Sequence, residues 1–176
     1  MVTYQIDPAH SSAQFKVRHM MISFVKGEFH KISGTVNFDP DNPTVSAIEV
    51  TIDAASINTR NEQRDADLKS AQFLDVEKFP VITFKSKNVT SSGAGSFAVA
   101  GDLTIHGVSK SVTLDVEDVT EEAKDPWGNL RRGASAKTRI NRKDFGITVN
   151  VALEAGGVLV GEDVDITIDV EMMRQP

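Results

Sequence analysis

Cysteine is absent from the 176-residue chain, which excludes disulfide staples, thiol nucleophiles and thiolate metal sites. Polar aromatics are scarce, with one Tyr and one Trp against nine Phe. Phe supplies apolar area without a hydrogen bond, so an interior built from it suits a hydrocarbon better than a ligand that phenol or indole groups must orient. Positive charge is in deficit: 19 Lys and Arg stand against 25 Asp and Glu, a formal net charge of −6. A nucleic-acid partner would gain no overall attraction from that balance and is not expected. No apolar run approaches the roughly 18 residues of a membrane-crossing helix, and the start MVTYQIDPAHSSAQFKVRH lacks a basic segment followed by an apolar one. The chain as written therefore reads as cytoplasmic, and as periplasmic if a signal peptide has been removed.

Histidine spacing is equally unhelpful to metal chemistry. His10, His19, His30 and His106 form no HxH or HExxH pair, and in one extended run His10 and His19 would face opposite ways. No metal site is expected. Asp7, His10 and Ser11 in DPAHSS invite a catalytic-triad reading, but no GxSxG nucleophile turn accompanies them. They read better as turn and hydrogen-bonding residues, and no catalytic residue is assigned.

Alternation with a period of two fills the rest of the chain. Ile48, Val50 and Ile52 alternate with Glu49, Thr51 and Asp53, and Ile82 and Phe84 with Thr83 and Lys85. The segment VGEDVDITIDVEMM sets Val164, Ile166, Ile168, Val170 and Met172 against Asp163, Asp165, Thr167, Asp169 and Glu171. Such runs are strands with one dry and one wet face. Turn signals separate them at residues 39–43, Ser91 to Gly95, His106-Gly107, residues 125–129 and Gly156-Gly157. Short connections without helical crossovers predict an all-β antiparallel barrel in one domain over residues 1–176. One polar stretch departs from the pattern: Thr59-x-x-Glu62 has capping-box spacing and predicts a short helix before Pro80, lying outside the barrel or across one end.

Two stretches call for separate weighing. In FKVRHMMISFVKGEF, alternation holds through Phe15, Val17 and His19 and then gives way to Met20, Met21, Ile22, Phe24 and Val25. This surplus could serve a core, a partner surface or the wall of a site for something greasy. LRRGASAKTRINRKD is the one basic stretch. Its Lys137 and Arg139 are expected to pair across strands with the acidic face of 163–171, while Arg142, beside Asp144 and Phe145, is expected to point inward or line an opening.

The ordered marks DPAHSSAQFKVRH, GEF, GTVNFD, SINTRNEQRDADLKSAQFLDVEKFPVITFKS, GDLTIHGVSKSV, NRKDFG and VGEDVDI resemble the YceI-like family of lipocalin-like, polyisoprenoid-binding proteins over nearly the whole chain. Ser109 and Glu162-Asp163 are conservative departures from that pattern. The resemblance implies an extended eight-stranded antiparallel barrel with one short helix beside it, an apolar tunnel for a long isoprenoid chain, frequent homodimers and frequent export to the periplasm. No cofactor is implied beyond a polyisoprenoid or quinone held as ligand.

On that basis the expected tunnel is lined by Phe15, Val17, Phe29, Ile48, Val50, Ile52, Ile82, Phe84, Leu103, Ile105 and Phe145. Met20, Met21, Ile22 and Phe24 would form a flexible apolar lip, with Gly27 turning the backbone back. His19, Arg142 and Asp144 would meet a head group at the mouth. The expected function is non-enzymatic binding, storage or transport of an isoprenoid or other long-chain lipid. Two rival classes are an enzyme acting on a lipid or quinone through Asp7, His10 or His106, and an interaction module with a solid core.

Overall fold

Each alternating segment forms a strand in the computed structural model, which describes residues 1–154 and 158–176. The expected turn at Gly156-Gly157 lies outside the described residues. The strand segments are β1 (Val2–Ile6), β2 (Ser12–His19), β3 (Ser23–Phe29), β4 (Ile32–Phe38), β5 (Ala47–Asp53), β6 (Ile57–Asn58), β7 (Val81–Gly93), β8 (Ser96–Ile105), β9 (Val108–Glu117), β10 (Ala123–Lys124), β11 (Leu130–Asn141) and β12 (Val160–Arg174). All pair antiparallel in one sheet.

The pairing reduces these segments to a closed eight-stranded barrel. β1 and β2 lie end to end along one edge of β12, Ile6 opposite Met172 and Ser12 opposite Asp169. β4 pairs with β1 and β3 with β2, so those two also run end to end. β5 and β6 repeat the arrangement on β4 and β3, and β9 and β10 do so on β11. β11 pairs with the other edge of β12 from Asn141 to Arg131 and closes the ring. On the outer face Arg139 meets Asp165 at 2.7 Å, the cross-strand charge pairing expected there; Lys137 faces Thr167 and Asp115.

DPAHSS is the elbow between β1 and β2. Pro8–His10 forms a 3-10 turn whose first amides are capped by Asp7, with Ala9 N donating to Asp7 Oδ1 at 2.9 Å. Ser11 Oγ donates to Glu171 O and accepts from Glu171 N, so its hydroxyl is committed to the β12 backbone. Arg131 on β11 reaches across, its Nη1 donating to Asp7 Oδ2 at 2.7 Å and Glu171 Oε1 at 2.8 Å, and its Nε to Asp125 Oδ2 at 2.7 Å. One guanidinium thereby ties the elbow, the closing strand and the turn at 125–129. The hydrogen bond with His10, and then the Arg131 guanidinium, hold the Asp7 pKa down at about 2. For Asp125, desolvation acts upward, but Arg131, Asn129 and two backbone amides outweigh it and its pKa is lowered.

The helix α1 (Glu62–Lys69) sits where a helix was expected, but its start differs. Asn61, not Thr59, is the cap, accepting from Arg64 N at 2.9 Å. Thr59 is buried instead; its hydroxyl donates to Asp65 and accepts from Arg64 Nε at 2.8 Å. Asn61 is two residues closer to the free amides, and the buried position of Thr59 just after β6 takes it away from them.

Asp7→Asn keeps the oxygen that caps the elbow and removes the charge facing Arg131. It should lower stability near neutral pH by about 1 to 3 kcal/mol in urea unfolding. Because the folded carboxyl titrates below its unfolded value of 3.8, its contribution is complete above about pH 4 and is lost as pH falls through about 2. The difference between variant and native protein should therefore shrink over that window.

Candidate functional site

A cavity of about 180 Å³ lies inside the barrel. Its wall is the dry face of almost every strand, with Ala13, Phe15 and Val17 from β2, Val50 and Ile52 from β5, Ile82 and Phe84 from β7, Leu103 and Ile105 from β8, and Val164, Ile166 and Ile168 from β12. The polar side chains on it are few: Gln14, Thr83, Thr138 and Arg142. An apolar cavity of about 150 Å³ stays dry and accepts benzene, so this one has room for a small hydrocarbon as it stands. A longer chain requires wall side chains to move.

Register makes room for the largest wall groups. Phe15 lies directly opposite Gly27, and a Cβ on Gly27 would stand 2.5 Å from Phe15 Cζ. Gly27 therefore makes no turn, contrary to expectation; it is a mid-strand position whose missing side chain admits the Phe15 ring. That ring packs on Phe29 with centroids 5.8 Å apart. Leu68 of α1 and Phe73 and Leu74 beyond it supply a further part of the wall. Their segment is pinned to the barrel by Arg64, whose Nη2 donates to Thr59 O at 2.7 Å.

Arg142 is the exceptional wall residue. It is 5 % exposed, and four backbone carbonyls cage it: Gly161 O and Ile147 O at 2.8 Å, Val149 O at 3.0 Å and Val160 O at 3.2 Å. No carboxylate pairs with it among the described residues. Burial lowers its pKa, opposed by Glu162, yet guanidinium keeps its proton in proteins. A cation with no carboxylate partner among the described residues thus stands beside a predominantly apolar space.

Of the expected lining, Phe15, Val17, Phe29, Val50, Ile52, Ile82, Phe84, Leu103, Ile105, Arg142 and Phe145 face the cavity. Seven expected residues do not. His19, Met20, Met21, Ile22 and Phe24 fall beyond the wall because β2 ends at His19 and the chain reverses there. Met20, Met21, Ile22 and Phe24 are exposed. Ile48 packs against the core near the start of β5, outside the lining, and Asp144 points to solvent from the 3-10 turn Arg142–Phe145. Leu114, Ile140, Ile147, Ile57, Val160 and the inward residues of β12 were not assigned to the wall from sequence; strand parity marks several of them. Leu68, Phe73 and Leu74 carry no such mark.

Other polar groupings have structural partners. Candidate ligand atoms of Asp7, His10 and Glu171 lie within 4.8 Å of one another, but Arg131 already bonds both carboxylates, so the donor set has its cation. His10 Nδ1 is 3.0 Å from Asp7 Oδ2, which raises the His10 pKa. His106 Nδ1 lies 3.2 Å from Phe145 O, and its ring meets Phe79 edge-on.

A YceI-like domain model matches residues 4–172. The chain belongs to the YceI-like family. A UPF0312 protein of Staphylococcus aureus is 40 % identical over 172 residues, covering 97 % of each chain. The crystal structure of a Campylobacter jejuni YceI protein superposes with a TM-score of 0.75 at 33 % identity, covering 90 % of each chain. A polyisoprenoid binding domain from Saccharophagus degradans, implicated in plant cell wall breakdown, shares the fold at a TM-score of 0.70 and 15 % identity, over 99 % of this chain and 100 % of that one.

Arg142→Ala would strand four carbonyls that the guanidinium satisfies. It should cost about 3 to 5 kcal/mol in chemical denaturation. His19→Ala and Asp144→Ala, outside the wall, should each stay within about 1 kcal/mol of the native protein.

Proposed function

We propose that the protein binds and carries a long-chain isoprenoid or similar lipid inside the barrel and performs no chemistry on it. The observation that carries this reading is the cavity wall, apolar on every strand that contributes to it and supplied with only four polar side chains. The name of the Saccharophagus degradans domain, a polyisoprenoid binder of the same fold, supports the ligand class. Burial of each five-carbon unit contributes roughly 4 kcal/mol at about 0.8 kcal/mol per carbon. Several units together offset association costs of about 4 to 15 kcal/mol. A chain of that length exceeds the present 180 Å³, so uptake involves opening of the wall. The unpaired charge of Arg142 favours an electron-rich head group, such as a quinone carbonyl or a phosphate, at its end of the cavity.

Organic-solvent extraction of freshly purified protein followed by mass spectrometry should yield a hydrophobic molecule. Delipidated protein should take up added polyprenol or quinone. Val50→Trp and Leu103→Trp place an indole in the cavity. Each should lose less stability than the about 1 to 3 kcal/mol expected of an overpacked core, while lipid uptake falls sharply. Clean extracts, no uptake, and strong destabilisation by both tryptophans would reject the carrier reading in favour of a solid barrel.

A further inference from the structure

The reversal between β2 and β3 is built against the ordinary preferences of a hairpin. Ile22 N donates to His19 O at 3.1 Å, which leaves Met20 and Met21 as the two central residues, with φ of 51° and 63°. Two-residue turns with positive φ at both centres favour Asn-Gly or Asp-Gly, as His106-Gly107 approximates at the β8–β9 turn with φ of 54° and 71°. Here two side chains with a Cβ occupy the left-handed region and are held out in solvent. Ile22 is 77 % exposed, and Phe24 is exposed beside it. Met20 N donates to Leu159 O at 2.8 Å and fixes the base of the tip. Adjacent exposed apolar groups at one projecting point mark an interaction site.

Charge behind the tip is arranged just as unfavourably for the isolated protein. Lys16 and Lys26 are direct cross-strand partners, a placement in which like charges destabilise pairing. Arg18 is paired with Phe24 and lies 4.3 Å from its ring centroid, while Lys16 Nζ lies 4.6 Å from it. None of these three cations forms an ion pair among the described residues, and Asp165 and Glu162 on the adjoining strand are engaged by Arg139 and Lys143. The pattern is an apolar prong with three cations that make no ion pair set back from its end, Lys16 alone having a carboxylate, Asp165, opposite it across the strands, on a protein of net charge −6.

We propose that the β2–β3 hairpin docks on an anionic lipid bilayer, with Met20, Met21 and Ile22 entering the acyl boundary and Arg18, Lys16 and Lys26 meeting lipid phosphates. The spacing fits: Phe24 and its partner Arg18 stand two residues behind Ile22, roughly 7 Å at strand rise, and Lys26 four residues behind, roughly 13 Å. Interfacial segments bury their apolar groups by about 5 to 10 Å, which leaves those cations at the head groups. Unbranched thioethers adapt to a fluid, irregular neighbour. The anionic surface relieves the Lys16 and Lys26 opposition, which Asp165, opposite Lys16 but bonded to Arg139, offsets only in part. Docking does not depend on what the cavity holds, although Val17, two residues from the end of β2, already belongs to the cavity wall.

Flotation of the full chain with vesicles of phosphatidylcholine, with and without phosphatidylglycerol, tests the proposal. The native protein should float with the phosphatidylglycerol vesicles, and added salt should weaken that association. Ile22→Asp, and separately Lys16→Gln combined with Lys26→Gln, should each reduce partitioning by roughly tenfold or more with an unchanged circular dichroism spectrum. Val50→Trp should float like the native protein, which separates docking from uptake into the cavity. Failure to float on anionic vesicles, equal flotation of native protein and Ile22→Asp, or loss of flotation in Val50→Trp would overturn the proposal. So would dissociation of an oligomer by Ile22→Asp in vesicle-free sedimentation, which would make the tip a contact between two copies of the chain.

Discussion

Closure of the sheet through β12 is the constraint on which the other features depend. An open sheet of this length would leave two edges of unpaired amides and carbonyls. β12 removes both by accepting β11 along one side and the end-to-end β1 and β2 along the other. Once the ring is closed, a side chain has only two destinations, inside or outside, and each strand must keep its parity around the whole circumference. The β1–β2 elbow tests that requirement, because a local kink could shift β2 relative to β12. Arg131 holds the kink in place through Asp7 and Glu171, and Ser11 fixes it to the Glu171 backbone.

The cavity is a second product of closure. An eight-stranded ring has an interior that can be filled by side chains or left to hold one small ligand. Here the wall carries β-branched residues and Phe, while Gly27 opposite Phe15 lets one ring settle close to the sheet rather than across the lumen. Arg142 is the counterexample that clarifies the rule. A charge persists in this wall only because backbone carbonyls from residues 147–149 and 160–161 replace the water it has lost.

Much of this architecture is legible in the sequence because period-two alternation reports parity directly. Val50 and Ile52, Ile82 and Phe84, and Leu103 and Ile105 reach the cavity as their alternation requires. His106-Gly107 announces its turn through the glycine. Met20-Met21 forms the same kind of turn without any such residue, so the end of β2 was invisible and the apolar run after His19 was placed at the tunnel rather than on an exposed tip. Thr59 and Asn61 show a related limit: both can cap a helix, and the choice between them depends on the burial of Thr59, which local sequence does not encode. Leu68, Phe73 and Leu74 were likewise hidden, since a polar helix with no fully buried residue gives no periodic sign of the face that meets the barrel.

The position of β12 in the chain also sets the order of events during synthesis. β2 emerges from the ribosome well before the strand that covers its edge, which follows β11 near residue 160. Until then the nascent chain carries an alternating apolar strand with one edge unsatisfied, and pairing it natively means bringing together segments more than a hundred residues apart in sequence. Long-range pairing of this kind is slow and leaves partly formed sheet exposed to other chains. The YceI-like barrel therefore closes only once β12 is made, and until then β1 and β2, the latter bearing the Met-Met turn, both present an uncovered edge.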